Sequence, residues 1–166
     1  MGSFAVANAG IGGNGLLHSA LYGGPAECNL SALARFNRDV LALAGVRRIV
    51  LLEGSNDLES IGIKINGRLV EKPAPAATVN DLIGGYQQII ALAHQHGIQV
   101  IGGTIIPFEG VAAGNGIENA WNPDKQIMRT SINQWIRGSA SFDAVVDFDA
   151  VMRDPAHPSR LLPLYD

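Results

Sequence analysis

Four short apolar segments, each followed by glycine-rich or polar residues, most constrain how this chain can fold. They cover residues 4–8, 48–53, 99–106 and 144–148. Short, continuously apolar runs of this kind are typical of buried parallel strands. Segments with helical periodicity alternate with them, over residues 29–43, 80–96 and 123–137. The alternation predicts an α/β fold with a doubly wound parallel sheet, right-handed crossovers and helices in layers.

The segments between these elements carry recognisable turn signals. Ser31 or Asn29 predicts the cap of the first helix, and Gly97 predicts the end of the second. The Asn66-Gly67 pair predicts a loop or small hairpin within residues 61–77, and a second long loop is expected over residues 109–122. Both loops leave the carboxyl ends of strands, where an open α/β sheet places its ligand site.

Composition limits the number of domains and the kinds of partner. The chain has 166 residues, 47% of them hydrophobic, which fits a single domain spanning residues 1–166. The net charge of -3 comes without any Lys/Arg-rich run, so we expect no nucleic acid or anionic membrane as partner. A small, roughly neutral substrate fits better. Cys28 is the single cysteine, which excludes an intrachain disulfide and a cysteine-based zinc site.

The sequence contains no obvious membrane or export segment. No apolar run reaches the roughly 20 residues that a membrane-spanning helix needs, and the start lacks the basic and long apolar stretches of a signal peptide. We therefore expect no membrane partner, and the compartment stays open because the natural N-terminus is not fixed by this sequence.

Two loops at strand ends carry the chemistry. The first contains Gly10, Gly12, Gly13 and Gly15 after the segment 4–8, and glycines there let the backbone turn sharply and approach a ligand closely. Their spacing does not match G-x-G-x-x-G, which argues against a dinucleotide site.

The second loop is Gly54-Ser55-Asn56-Asp57, after the segment 48–53. A backbone N–H from the first loop and the Asn56 amide could donate to one developing oxyanion, as acyl transfer requires. The structural alternative is that Asn56 and Asp57 only cap a helix while the glycines only form turns.

These blocks resemble the SGNH (GDSL-like) hydrolase family. Residues 8–14 (Asn-Ala-Gly-Ile-Gly-Gly-Asn) resemble its second sequence block, and residues 54–57 resemble its third, the G-x-N-D block. Residues 102–110 and 146–155 resemble later strands of its esterase-like branch. The resemblance implies a flavodoxin-like three-layer α/β/α fold, no cofactor or metal, and an oxyanion hole formed by the backbone N–H of Gly13 and the side-chain N–H of Asn56.

The chain also departs from the family pattern. The family begins with a Gly-Asp-Ser block that supplies the nucleophile, and no serine here lies in that context. Ser55 does not occupy the nucleophile's position in the family motif. No nucleophile is therefore identified in this sequence.

The family's last block is an Asp and a His three residues apart, which act as orienting group and general base. Asp154 and His157 have that spacing. In the branch that this chain resembles, however, an Arg-Asp-Pro stretch precedes the catalytic pair, so the resemblance implies that the last block itself is absent from this sequence. Asp154 and His157 remain acid/base candidates beside the alternative that they form an ordinary exposed turn.

Other polar residues are weaker candidates. Asp143, Asp147 and Asp149 raise the alternative of a carboxylate metal cluster. Alternation along the strand places only Asp147 and Asp149 on one face, and no histidine is placed to help. We expect no metal. His94 and His96 suit the negative end of a helix dipole.

The resemblance implies that a first strand is missing from the middle of the sheet, between the segments 4–8 and 48–53. Its loss would leave unpaired strand edges, so we expect a homo-oligomer or strand-swapped dimer. The implied activity is that of a serine hydrolase acting on a small acyl ester or a carbohydrate acetyl ester, with this chain weakly active or inactive alone. The alternatives are a catalytically dead small-molecule or carbohydrate-binding protein and a non-functional fragment.

Overall fold

A three-stranded parallel sheet forms the centre of the fold. The structure, a computed structural model, describes residues 5–19, 30–70, 76–110 and 116–166. The sheet consists of β1 (Arg48–Leu51), β4 (Gln99–Gly103) and β6 (Ala144–Val146), with β4 in the middle. Val50 pairs with Ile101, and Ile101 with Ala144, so these residues lie on one face of the sheet.

Two long helices connect these strands. They are α3 (Val79–Gln95) and α4 (Pro123–Gly138), and each follows one strand and precedes the next. A capping box starts α3, in which the Thr78 hydroxyl accepts from the Asp81 N–H at 3.2 Å and the Asp81 carboxylate accepts from the Thr78 N–H at 2.9 Å. Gly97, with φ of 68°, follows the end of α3.

Both long helices pack on the same face of the sheet. Tyr86 and Ile89 of α3 and Ile132 of α4 are buried in one core cluster with Leu51 and Val100 of the strands. The strand order runs in one direction from β1 through β4 to β6, and right-handed crossovers in one direction place their helices on one face. On the other face, the side chains of Val50 and Leu52 are 60% and 45% exposed.

Shorter helices complete the core and the sheet ends. These are α1 (Ala32–Phe36), which continues into a π-helical turn (Asn37–Leu41), α2 (Ser55–Glu59) and α5 (Phe148–Met152). Ser31 caps α1, since its hydroxyl accepts from the Ala34 N–H at 3.2 Å. The sequence predicted α1 and the two long helices, but neither α2 nor α5.

Three of the four predicted strands are confirmed, each shorter than its apolar segment. The first predicted strand, over residues 4–8, is wrong. Residues 5–8 form no strand, and Phe4 lies outside the described residues. Val6 is 94% exposed. Strand structure requires a hydrogen-bonded neighbour, and no described strand lies beside this segment. That a central strand is missing stays a prediction.

A second, small sheet confirms the predicted hairpin. It consists of β2 (Lys64–Ile65) and β3 (Arg68–Leu69), joined by the turn at residues 66–67, with β5 (Ile117–Glu118) antiparallel to β2. Lys125 of α4 ties this sheet to the core. Its buried Nζ donates to the carbonyl oxygens of Glu59 at 2.8 Å and Ala120 at 3.1 Å, and also to that of Asn119. Burial lowers the pKa of Lys125 to about 8.

A buried ion pair holds the last residues against the sheet. Arg129 of α4 donates to Asp149 at 2.6 Å, to the Ile105 carbonyl at 3.0 Å and to the Pro158 carbonyl at 2.9 Å. Both charged side chains are almost fully buried. Because one guanidinium joins α5, the exit of β4 and the turn near Pro158, the C-terminal turn lies at the carboxyl edge of the sheet.

No helix in the described parts of the chain is long and apolar enough to cross a bilayer.

Adjacent glycines in α3 predict opposite effects of the same substitution. A Cβ at Gly84 would meet no atom within 4 Å, whereas a Cβ at Gly85 would lie 2.6 Å from Leu17 Cδ2 and 3.1 Å from Leu16 Cδ2. We expect Gly84→Ala to raise the free energy of unfolding by about 0.5–1 kcal/mol through helix propensity. We expect Gly85→Ala to lower it by about 1–3 kcal/mol through overpacking.

Urea unfolding of the two variants beside the wild-type chain measures both effects. Each variant is the other's control, because the helix and the chemical change are the same. Equal effects of the two substitutions would contradict the packing of residues 16–17 on this face of α3.

Candidate functional site

The candidate site lies at the carboxyl ends of β1 and β4. A cavity of about 160 Å³ opens there, lined by Leu52, Glu53, Ser55, Ile105 and Ile106. Gly13 and Asn56 do not line it, although Ser55 directly precedes Asn56. This is the edge at which an open parallel sheet normally binds its ligand. The sequence predicted this edge from the two loops that meet there.

The glycine-rich loop has no regular structure, and Gly13 determines its turn. Gly13 has φ of 76°, in the left-handed region that favours glycine. The next residue, Asn14, is fully buried, and its backbone N–H donates to the Ile11 carbonyl at 3.1 Å. The loop therefore presents the Gly13 peptide at a tight turn with a buried side chain directly after it.

The second loop begins α2 and brings Asn56 to the first. Gly54 has φ of 103°, and a Cβ there would lie 2.7 Å from the Tyr86 hydroxyl oxygen, so a side chain would not fit. Asn56 Nδ2 donates to the Asn14 carbonyl at 3.0 Å. The structure thus brings the Asn56 amide next to the loop residue that follows Gly13.

The arrangement leaves donors for a ligand oxygen. A primary amide has two N–H donors, and one of those of Asn56 is used by Asn14. Among the described residues no hydrogen bond is found for the backbone N–H of Gly13. A backbone N–H and a side-chain amide N–H are the donor types that stabilise a developing oxyanion.

Asp57 holds the two loops together. Its carboxylate, 1% exposed, accepts from the backbone N–H of Leu16 at 2.6 Å and of Leu17 at 2.9 Å. Burial raises the pKa of Asp57 although these backbone donors oppose the shift. A Cβ on Gly15 would lie 2.8 Å from the carboxylate oxygens, so glycine is required at that position as well.

Arg35 joins the glycine-rich loop to the end of β1. Its guanidinium donates to the Asn14 side-chain oxygen at 3.0 Å and to the Ala9 carbonyl at 2.5 Å. It also lies 3.5 Å from the Glu53 carboxylate and 3.1 Å from that of Asp39. One buried cation on α1 therefore fixes both the position of the loop and a carboxylate in the wall of the cavity.

Glu53 is the titratable group of the cavity. Burial raises its pKa to about 7, against the opposing charge of Arg35 and with a smaller contribution from Asp57. Its main-chain carbonyl accepts from the Tyr86 hydroxyl at 2.5 Å. The carboxyl group is thus poised to exchange a proton near neutral pH.

The structure pairs the two acid/base candidates with each other. His157 Nδ1 lies 3.3 Å from Asp154 Oδ2, and the side chains are 70% and 24% exposed. They lie in the C-terminal turn near Pro158, whose carbonyl accepts from Arg129. The same guanidinium donates to the Ile105 carbonyl after β4. The turn lies at the same edge of the sheet as the cavity, but neither residue lines that cavity. Their catalytic role stays a prediction.

The other histidines lie elsewhere. His94 Nε2 lies 2.9 Å from Asp143, and His96 Nδ1 lies 2.9 Å from the Leu92 carbonyl, both near the start of β4. His18 follows the glycine-rich loop, and its Nε2 is buried with no hydrogen-bond partner among the described residues. Cys28 lies outside the described residues.

Of the three carboxylates that raised the alternative of a metal site, Asp147 and Asp149 are paired with arginines and Asp143 with His94. Arg137 donates to Asp147 at 2.7 Å and to Asp149 at 2.6 Å. Within residues 5–19, 30–70, 76–110 and 116–166, no cluster of three or more metal-ligating side chains is found. Asp147 and Asp149 thus connect Arg137 of α4 to the residues that follow β6.

Sequence reasoning missed Arg35 and Glu53. Arg35 is only 5% exposed although it lies in a short helix where charged residues usually face solvent. The available signal for Glu53 was a carboxylate ending an apolar strand directly before Gly54. No signal in the sequence connected it to Arg35.

Glu53 and Glu59 predict how stability depends on pH. Burial raises the pKa of each from 4.5 to about 7. A carboxyl whose pKa is raised by folding stabilises the folded protein at pH values below its pKa in the unfolded chain. This contribution is lost as the pH rises through its pKa in the folded protein. We therefore expect the free energy of unfolding to fall between about pH 4.5 and pH 7.

Urea unfolding across this range tests the expectation with Glu53→Gln and Glu59→Gln. Each variant should lose its share of the pH dependence, on the order of 2–3 kcal/mol. Glu118→Gln, on the exposed hairpin sheet, is the control and should leave the slope unchanged. A stability that rises steadily from pH 4.5 to pH 7 in the wild-type chain would contradict the expectation.

Two solved structures have a fold similar to that of this chain. A protein of Bacteroides fragilis NCTC 9343 described as an acylhydrolase matches with a TM-score of 0.59 at 21% identity, covering 81% of this chain and 56% of that one. A GDSL-like lipase of Bacteroides thetaiotaomicron VPI-5482 matches with a TM-score of 0.57 at 20% identity, covering 81% of this chain and 57% of that one. This chain thus spans a little over half the length of these solved structures.

Sequence comparison supplies the family. No curated protein matches the chain. The model of the GDSL-like lipase/acylhydrolase family matches residues 2–166, nearly the whole sequence. The resemblance inferred from the two glycine-containing loops is confirmed. The chain belongs to the GDSL-like lipase/acylhydrolase family.

Proposed function

We propose that this chain is the oxyanion-binding part of a serine ester hydrolase that acts on a small acyl ester or a carbohydrate acetyl ester. The observation that carries the proposal is the hydrogen bond from Asn56 Nδ2 to the Asn14 carbonyl, at 3.0 Å. It joins the two loops in which the sequence predicted Gly13 and Asn56 as donors. Membership of a family of acylhydrolases supports the same chemistry.

In the proposed mechanism, the ester carbonyl oxygen lies between the Gly13 N–H and the free N–H of Asn56. Attack by a nucleophile places negative charge on that oxygen, and both donors stabilise it more strongly than they stabilise the neutral carbonyl. In the complete protein the nucleophile is a serine, which forms an acyl-serine intermediate that water then hydrolyses. With no such serine identified in this sequence, we propose that the chain alone is weakly active or inactive.

The size of the cavity supports a small acyl group. Its volume of about 160 Å³ is below the roughly 300–1,000 Å³ of pockets that enclose drug-sized ligands. The apolar walls from Leu52, Ile105 and Ile106 suit a short hydrocarbon portion. Glu53 in the same wall offers a polar partner for a hydroxyl of the alcohol portion.

A catalytically dead binding protein is the second candidate. It is favoured by the positions of His94 and His157, which pair with Asp143 and Asp154 at exposed sites and do not line the cavity. A chain that retains the oxyanion donors without a histidine at the cavity would bind an ester or acetyl sugar without turning it over.

Hydrolysis of p-nitrophenyl acetate tests the first candidate. We expect a slow rate above a buffer control for the wild-type chain and loss of most of that excess in Asn56→Ala, because removing one oxyanion donor typically costs about 10²–10³ in kcat. Asn56→Asp should lose it as well, since a carboxylate repels the developing charge. Gln95→Ala, which removes an exposed amide at the far end of α3, is the matched control.

Three outcomes would change the proposal. If wild type and Asn56→Ala hydrolyse the ester equally fast, Asn56 is not an oxyanion donor. If neither exceeds buffer, binding of N-acetylglucosamine followed by NMR of the Asn56 side-chain amide separates the second candidate from a chain without this function. Loss of activity in His157→Ala would instead assign His157 as the base.

A further inference from the structure

One buried side chain contacts the glycine-rich loop at both of its ends. Arg35 of α1 donates through Nη1 to the Ala9 carbonyl at 2.5 Å and through Nε to the Asn14 side-chain oxygen at 3.0 Å. The two acceptors enclose residues 10–13, which include Gly13. Arg35 is only 5% exposed, so water competes little for these contacts. Its guanidinium therefore bridges the part of the loop that presents the Gly13 peptide.

The segment between the two acceptors has few other contacts. Three of its four residues are glycines, which lose the most conformational freedom on folding. Two hydrogen bonds are found along it in the described structure. The Gly10 N–H donates to the Asn8 side chain at 2.9 Å, and the Asn14 N–H donates to the Ile11 carbonyl at 3.1 Å. Both bonds stay within residues 8–14, so the position of the segment in the fold depends on contacts at its ends.

The chemistry of arginine suits this bridging role. A guanidinium is planar and its N–H groups point in fixed directions, so two oxygens that bind it are held at a fixed separation. The cation is itself held by two carboxylates, those of Asp39 at 3.1 Å and Glu53 at 3.5 Å. A buried charge needs such partners. Asp39 and Glu53 thus fix the guanidinium, and the guanidinium fixes the loop.

We propose that Arg35 is a positioning residue that sets the direction of the Gly13 backbone N–H. Through the same contacts it keeps the Asn14 carbonyl against the Asn56 amide. The consequence for catalysis rests on the proposed function, because a positioned donor matters where an oxyanion develops. Arg35 acts through Ala9 and Asn14 and not on the ester itself.

Arg35→Lys tests the proposal in the folded chain. The variant keeps a positive charge beside Asp39 and Glu53, but an ammonium lacks the fixed fork that bridges the two loop oxygens. NMR relaxation gives the order parameter of the Gly13 N–H. We expect a rigid value of about 0.85 in the wild-type chain and a value below about 0.6 in the variant. The N–H groups of α3 and α4 should keep their wild-type values.

Arg38→Lys is the matched control. It is the same substitution three residues further on, and Arg38 also binds Asp39, at 2.6 Å, but its side chain is 65% exposed and its bonds go to Asp39 alone. It should leave the Gly13 order parameter unchanged. A Gly13 N–H that is already mobile in the wild-type chain, or that stays rigid in Arg35→Lys, would overturn the proposal. So would an equal loss of order in the control or throughout α3 and α4.

Hydrogen exchange of the wild-type chain needs no substitution, so it decides the matter even where Arg35→Lys does not fold. The Asn14 backbone N–H and the Arg35 Nε–H should exchange with the same free energy of opening, because one contact holds both. An Asn14 N–H that exchanges freely while the Arg35 Nε–H stays protected would show that the guanidinium does not hold the loop.

Hydrolysis of p-nitrophenyl acetate separates this inference from the proposed function. Arg35→Lys should lower kcat by about 10–10²-fold and leave KM nearly unchanged, since a displaced donor is lost chiefly in the transition state. If Asn56→Ala keeps full activity while Arg35→Lys frees the Gly13 N–H, the proposed function fails and the positioning of the loop stands. If Asn56→Ala loses activity while Arg35→Lys keeps its kcat, the positioning role fails and the proposed function stands.

Discussion

The buried carboxylate of Asp57 is the contact on which the site and part of the core depend. It accepts from the backbone N–H groups of Leu16 and Leu17, in a segment with no regular structure of its own. Unpaired backbone donors in a buried segment would be costly. Through this contact Leu16 is fully buried in the core, and its carbonyl and that of Gly15 accept from the first N–H groups of α1. The glycine-rich loop is therefore part of the core.

The direction in which the sheet winds explains the exposed surface. Because β1, β4 and β6 follow one another in a single direction, α3 and α4 lie on one face and contact each other there. The apolar side chains on the other face have no helix against them among the described residues. A sheet becomes covered on both faces only where the strand order reverses, and such a reversal would begin at the free edge of β1.

The sequence predicted most of the fold because apolar periodicity reports burial. It located α3 and α4 almost to the residue, the hairpin at Asn66, and the loops that hold Gly13 and Asn56. It failed for residues 5–8, because an apolar pattern cannot show whether a neighbouring strand exists. The helical segment predicted over residues 123–137 also contains Ile127, whose apolar side chain is 64% exposed. Arg35 could not be found, since its partners at Ala9, Asn14 and Glu53 are joined only by the folded chain.

Arg35 and Glu53 connect the glycine-rich loop to the end of β1. The guanidinium fixes Asn14, whose carbonyl accepts from Asn56, and it faces the carboxylate that follows β1. Protonation of Glu53 would remove one of the two negative charges opposite Arg35 and leave Asp39, whose pKa Arg38 holds at about 2. The charge at the end of β1 therefore changes near neutral pH while the loop stays attached. A positive charge that approaches this end would favour the ionised form of Glu53. Binding of a charged group at the cavity and the ionisation of Glu53 are thus thermodynamically linked.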